Sequence, residues 1–243
     1  EPPVALVGKG IMFDSGGYSL KSRMETMHGD MGGAAAAIGA IRAIALEKLP
    51  VNVIAVVAAC KNMISGDAYV PGDILFSMNG KKIEMLNSDA EGRLTLADAL
   101  TYAIRKENAG SIIDIATLTG AAQGAVGVRS SAVFSNDEEL YAEVEEASER
   151  ACEKIWRLPL DKELFPVIES EVADIQNSAQ GSTMGGGAIV AGLFLQEFVE
   201  DHSWVHVDIA PVSWESKDID YSIKGATGYG VSLLYETVKV ISR

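Results

Sequence analysis

Short β-branched runs alternate with Ala- and Leu-rich segments of helical period along almost the whole chain. Bounded mostly by Gly, Pro or Asn, such runs predict strands at Val4–Val7, Val51–Ala58, Ile74–Ser77, Lys82–Leu86, Ser111–Ala116, Ala132–Phe134 and Trp204–Ile209. Apolar residues at helical spacing predict helices over Met31–Glu47, Leu94–Lys106, Asp137–Lys154, Ala188–Glu200 and Val231–Ile241. In the second helix Leu94, Ala97, Leu100, Thr101 and Ile104 form the stripe. In the third, glutamates surround an Ala/Val/Tyr stripe, the pattern of a solvated face, and Asn136 is the expected N-cap. Strand–helix alternation of this kind predicts an α/β fold with a mixed, largely parallel central sheet and helices on both faces. The 243 residues, 48% of them hydrophobic, suffice for one sizeable core. Without a repeat or a linker, residues 1–243 read as one domain. The Ser- and Gly-rich stretch Asn177–Gly187 reads as a flexible loop.

Composition narrows the function. The formal net charge is −14, which repels phosphate backbones and anionic lipid and makes nucleic acid and membrane surfaces poor partners. Cys60 and Cys152 show neither metal-type spacing nor a disulfide framework, so a reduced, cytoplasmic compartment is expected. No apolar run reads as long enough to span a bilayer. The chain opens on Glu1-Pro2-Pro3, and the expectation is a piece of a longer protein.

Open α/β sheets bind ligands beyond the carboxyl ends of their strands, and the unusual polar residues cluster there. Val4–Val7 leads into Lys9 and Asp14-Ser15-Gly16-Gly17. Lys82–Leu86 leads into Asn87-Ser88-Asp89-Ala90-Glu91-Gly92-Arg93, and Ser111–Ala116 into Thr117-Leu118-Thr119-Gly120. Asp89 and Glu91 flank a small Ala and can turn to one point. Each acid also has a plainer reading: Asp89 and Glu91 as a capping cluster, Asp14 as a solvent-facing turn, Asp30 as an N-cap. Carboxylate clusters suit Mg²⁺, Mn²⁺ or Zn²⁺. The three histidines, His28, His202 and His206, form no His-Glu-x-x-His motif, and His206 reads as a packed strand residue.

Taken together, these segments resemble the leucyl (cytosol) aminopeptidase family. The resemblance rests on KGIMFDSGG at 9–17, Lys21, HGDMGGAAA around Asp30 and NSDAEGR at 87–93. It extends through IIDIATLTGA at 112–121, WRLPL at 156–160 and KGATGYGV at 224–231. It implies a zinc-exopeptidase-like catalytic domain, the family's N-terminal domain lying outside this chain. It implies two divalent metals, Zn²⁺ and/or Mn²⁺, with Mg²⁺ or Co²⁺ as alternatives. One metal would be held by Lys9, Asp14, Asp30 and Glu91, the other by Asp14, Asp89 and Glu91. A water between them, activated as hydroxide, would attack the scissile carbonyl. Lys21 would steady the oxyanion, and Arg93 would hold a bicarbonate acting as base. Thr117, Leu118 and Gly120 would align the peptide, and Met27, Asn87, Ala90, Thr117 and Ala210 would line the first side-chain pocket. Lys9 must be neutral to donate its lone pair to a metal. The resemblance further implies peptide substrates and a homohexamer built as a dimer of trimers.

Some positions depart from the family pattern. Ser88 stands for the usual Thr, His28-Gly29 for a Lys-containing pair, and the Lys21–Asp30 connection is short. Ser213 falls where some relatives carry an apolar residue, which leaves room for a broader side-chain range. Asp14-Ser15-Gly16-Gly17 also resembles the nucleophile segment of chymotrypsin-like serine proteases. All three histidines follow Ser15, however, and the α/β pattern does not suit two β-barrels. Gly185-Gly186-Gly187 lacks the Gly-Lys-Ser/Thr ending of a phosphate-binding loop.

Overall fold

A computed structural model describes residues 1–179 and 182–243. The expected Asn177–Gly187 loop therefore falls partly outside the described residues. The strands are β1 (Val4–Asp14), β2 (Val53–Asn62), β3 (Asp73–Phe76), β4 (Lys82–Met85), β5 (Ser111–Ala116), β6 (Ser131–Ser135), β7 (Ile155–Arg157), β8 (Ile175–Gln176), β9 (Ser203–Asp208), β10 (Trp214–Glu215) and β11 (Gly225–Ala226). The α-helices are α1 (Gly32–Glu47), α2 (Glu91–Arg105), α3 (Gly120–Val126), α4 (Glu138–Ala151), α5 (Gly187–Gln196) and α6 (Val231–Ile241). Single 3₁₀ segments lie at Met27–Gly29 and Lys162–Ile168.

Six strands form the central sheet in the order β2-β1-β5-β9-β6-β7. β2, β1, β5 and β9 run parallel, and β6 turns antiparallel against β9 while pairing parallel with β7. Alternate side chains point to opposite faces of each strand, so each strand feeds two cores. Ala5, Val7, Ile112 and Trp204 pack with Leu96 and Leu100 of α2 and Phe194 of α5. Val4, Leu6, Ile113 and Val207 pack with Ala37 of α1, Val144 of α4 and Leu234 of α6. The sheet thus carries helices on both faces, as expected. Each fully buried Leu, Ile or Phe contributes about 1.5–3 kcal/mol.

Several local expectations change. Ile74–Ser77 and Lys82–Leu86 do not join the central sheet. They form an antiparallel pair extended by β8 in a separate three-stranded sheet. β1 runs on to Asp14 because β2 continues to pair with it as far as Asn62, across an irregularity between Ile11 and Phe13. Asp137, not Asn136, caps α4, its carboxylate accepting from the Glu139 and Leu140 amides. The Asn136 side chain instead donates to His202 O and accepts from Trp204 N. That helix stops at Ala151, before left-handed Cys152.

The segment Met27–Glu47 is long and apolar enough by composition to cross a membrane, against the sequence expectation. Its apolarity comes from its alanines together with Ile38, Ile41, Ile44 and Leu46. Gly33, Ala34, Ala36, Ala37, Ala40 and Ile44 are buried where α1 packs on β1, β2, β5 and α6, while Ile38 and Leu46 on its other side are exposed.

Candidate functional site

The carboxyl ends of the parallel strands meet at one crevice. β1 delivers Lys9 and Asp14, and both are buried. Lys9 fits because Gly92, at the start of α2, has no Cβ; one there would lie 2.4 Å from Lys9 Cε. α1 approaches as closely, since a Cβ on Gly33 would sit 2.0 Å from the Ile115 carbonyl oxygen. Glycines at these contacts let three segments share a space that side chains would fill.

Lys9 Nζ lies 2.9 Å from Asp30 Oδ1 and 3.0 Å from Glu91 Oε1, and it donates to the Thr117 carbonyl at 2.9 Å. Thr117 Oγ1 donates to Asp30 Oδ1 at 2.7 Å. Lys21 Nζ lies 2.9 Å from Asp14 Oδ2 and 2.6 Å from Asp89 Oδ1. Two lysines therefore knit four carboxylates from three segments of chain.

None of the plainer readings of these acids describes the structure. Asp14 is buried, with Oδ1 accepting from Gly16 N. Met31, not Asp30, is the N-cap of α1 and offers no side-chain bond. Ala90 is the N-cap of α2, so neither Asp89 nor Glu91 supplies the cap side chain.

The electrostatics are those of acids crowded out of water. Burial raises the pKa of Glu91 and of Asp30, the Lys9 charge opposes it, and Asp14 adds repulsion. Burial raises Asp89 as well, against the pull of Lys21. Burial alone would lower the pKa of Lys9, but Glu91 and Asp30 outweigh it and the net shift is upward. Lys9 here is thus a held ammonium.

A divalent cation suits this cluster. Asp14, Asp89 and Glu91 each offer an oxygen, all within 4.8 Å of one another. Asp30 Oδ2 and Glu91 Oε2 are buried without a hydrogen-bond partner among the described residues. Unpaired buried carboxylate oxygens are costly, and oxygen-rich ligand sets match hard and borderline cations.

The crevice has a volume of about 360 Å³, and its walls include Met27, Thr117, Leu118, Gly120 and Ala210 as well as the acids and lysines. Ser213 and Trp214 also line it. The Asn87 side chain accepts from Asp89 N, and Ala90 is the N-cap of α2, both beside Asp89 and Glu91 of the crevice wall. Arg93, two residues beyond Glu91, is partly buried, its guanidinium carbon 5.9 Å from the Phe194 ring centre, and its Nε has no partner among the described residues. Burial lowers its pKa to about 10, partly offset by Glu91 and Asp208, so it stays a cation at neutral pH. A larger hollow of about 560 Å³ beside Arg129 and Tyr221 shares no lining residue with the crevice.

Two supporting residues escape a reading of sequence alone. Asp208, ending β9, accepts from Leu118 N, Thr119 N, Thr119 Oγ1 and Ala210 N, pinning the loop that lines the crevice. Asn62, ending β2, donates to Asp14 Oδ1. Neither belongs to a motif, and only strand register places them. Ser15 Oγ donates to the Asn62 carbonyl and accepts from Gly17 N, so its hydroxyl braces a turn. His206 is fully buried, with Nδ1 2.6 Å from Asp114 Oδ1, a packed strand residue as expected.

Fold and site together define an α/β domain with an acidic, lysine-clamped crevice at the carboxyl ends of its parallel strands. The sequence profile of the cytosol aminopeptidase family, catalytic domain, matches residues 1–235. A probable cytosol aminopeptidase of Clostridium perfringens is 55% identical over 96% of this chain and 47% of its own length. One from Clostridium tetani is 53% identical over 98% of this chain and 50% of its own. Among solved structures, the bottromycin maturation enzyme BotP in complex with Mn superposes with a TM-score of 0.94. It is 39% identical, and the match covers all of this chain and 55% of BotP. The chain belongs to the cytosol aminopeptidase family, and it spans about half the length of the curated relatives it matches.

Proposed function

We propose that this chain is the catalytic domain of a two-metal aminopeptidase of the leucyl type, removing leucine or another, preferably apolar, N-terminal residue from peptides. The observation that carries this reading is the meeting of Asp14, Asp89 and Glu91 within 4.8 Å, with Lys9 and Asp30 joined to Glu91 through one buried ion-pair group. Lys9, Asp14, Asp30 and Glu91 would hold one ion, with Lys9 giving up its proton as the ion binds, and Asp14, Asp89 and Glu91 the other. Zn²⁺ and Mn²⁺ are the ions proposed, and the manganese complex of the related BotP supports the second. When bound, such ions supply Lewis-acid polarisation and a water of lowered pKa.

The chain's own residues do the rest. Lys21, a cation at the edge of the cluster, stabilises negative charge developing on the carbonyl oxygen. The Thr117, Leu118 and Gly120 segment, pinned by Asp208, aligns the peptide, while Met27 and Ala210 shape the space for the first side chain. Arg93 holds a small anion, bicarbonate in this reading, that serves as base. A homohexameric, cytoplasmic enzyme completes the proposal.

Hydrolysis of leucine p-nitroanilide but not of its N-acetyl derivative is the expected result; equal turnover of both contradicts an aminopeptidase. Because the cations bind the folded chain, Mn²⁺ at 100 times its Kd adds about 2.7 kcal/mol. For a domain of this size that raises the thermal midpoint by about 5–10 °C. An unchanged midpoint removes the metals from the proposal.

Gly92→Ala separates site from fold. The atoms nearest the new methyl are Cδ, Cε and Nζ at the flexible end of Lys9, and alanine favours a helix over glycine. The thermal midpoint in chelator should stay near that of the parent protein, while displacement of Lys9 weakens Mn²⁺ binding about tenfold or more. Calorimetric titration reads the second effect, and parent-level affinity would mean that Lys9 is no ligand.

A further inference from the structure

Asn62 ends β2 opposite Asp14 in the β1–β2 register, and it is buried. Its Nδ2 donates at 2.8 Å to Asp14 Oδ1 and at 2.8 Å to the Ser88 carbonyl. Both neighbours are acceptors, so only the amide nitrogen fits there. Its backbone carbonyl oxygen accepts from Ser15 N and Ser15 Oγ. One residue therefore ties together the end of β1, which carries Asp14, the turn that follows it, and the segment that carries Asp89.

From this geometry we infer that Asn62 is a positioning residue that sets the rotation of the Asp14 carboxylate for ion binding. Asp14 Oδ1 receives two donors, Asn62 Nδ2 and Gly16 N. That leaves Oδ2 free of those two donors and facing Lys21. The Ser88 contact holds the neighbouring Asp89 backbone in the same frame. Ser88 Oγ, in turn, accepts from Ser19 N and donates to Gly16 O, so the frame is closed on both sides. Groups that orient a metal-binding carboxylate typically govern affinity and turnover by about 10–100-fold. The inference rests on the two-metal reading above.

The test replaces Asn62 by Leu, similar in size but without a donor, in the intact chain. Expected are Mn²⁺ affinity about 10–100-fold weaker by calorimetry and kcat on leucine p-nitroanilide lower by a similar factor, with KM within about threefold because the pocket walls are untouched. Parent-level Mn²⁺ affinity and kcat alongside a lower thermal midpoint would overturn the inference, since a merely structural role moves only the midpoint. Should Asn62→Leu fail to fold, the smaller, polar Asn62→Ser is judged on the same measurements. The parent protein run alongside keeps the two ideas apart. A parent that binds no Mn²⁺ refutes the two-metal reading; a parent that binds it no better than the variant refutes the role of Asn62.

Discussion

Glu91→Gln is expected to lower kcat/KM on leucine p-nitroanilide on the order of 10³-fold or more, with the fold intact. The substitution keeps size and shape, and the amide oxygen can still accept from Lys9. What it removes is one negative charge from a cluster in which Asp14, Asp89 and Glu91 oxygens lie within 4.8 Å of one another. Charge stabilisation by bound metals is worth several kcal/mol, and about 4 kcal/mol corresponds to that loss of rate. Burial raises the pKa of Glu91 and the Lys9 charge opposes it, so its contribution to stability is full below the ordinary glutamate pKa and falls as pH rises through the raised value. Gln removes the desolvated charge but also its pairing with Lys9. In chelator the variant should melt near the parent midpoint, and it should lose most of the upward shift caused by Mn²⁺. Turnover within tenfold of the parent would remove Glu91 from the site.

Gly33→Ala should be the most damaging single methyl in the chain. Its Cβ would lie 2.0 Å from the Ile115 carbonyl oxygen and 2.9 Å from Lys9 N, both backbone atoms of the central sheet that cannot swing aside. α1 must back away from β1 and β5 or fail to form. Overpacking of this kind costs about 3 kcal/mol, which for a domain of this size lowers the thermal midpoint by about 6–12 °C. Because Asp30 closely precedes α1, its contact with Lys9 goes with the helix. Gly66→Ala is the control, because a methyl added there meets nothing within 4 Å, and it should shift the midpoint by about a degree or two. Similar melting of the two variants would contradict the close approach of α1 to the sheet.

The contrast between these glycines shows what a sequence can and cannot disclose. The run of small residues from Gly32 to Ala37 signals tight packing, but only coordinates single out Gly33 as the point of contact. The strands and the long helices are legible from period and β-branching. α3 is not, because GAAQGAV is short, carries two glycines and has no apolar stripe. The short strands β7, β8, β10 and β11 span only two or three residues each and are made by their partners rather than by propensity. β3 and β4 read as sheet members of equal rank, and nothing local says that they form a separate sheet.

At the site, each acid taken alone reads as a cap or a turn. Their order along the chain, together with the two lysines, carries the resemblance. That resemblance puts Asn87 and Ala90 on the pocket wall beside Asp89 and Glu91, but it gives no sign of Trp214, which lines the crevice here. Asn62 and Asp208 stay hidden because an Asn or Asp at a strand end carries no signal until its neighbour across the sheet is known.

Everything proposed for the reaction depends on five side chains from three segments of chain enclosing two cations. Crystals grown with Mn²⁺ and measured at its absorption edge decide the matter. Two anomalous peaks about 3.5–4 Å apart, bounded by Lys9, Asp14, Asp30, Asp89 and Glu91, are the expected result. A map with those side chains well ordered and no peak among them, or with manganese bound only elsewhere, would contradict the two-metal centre.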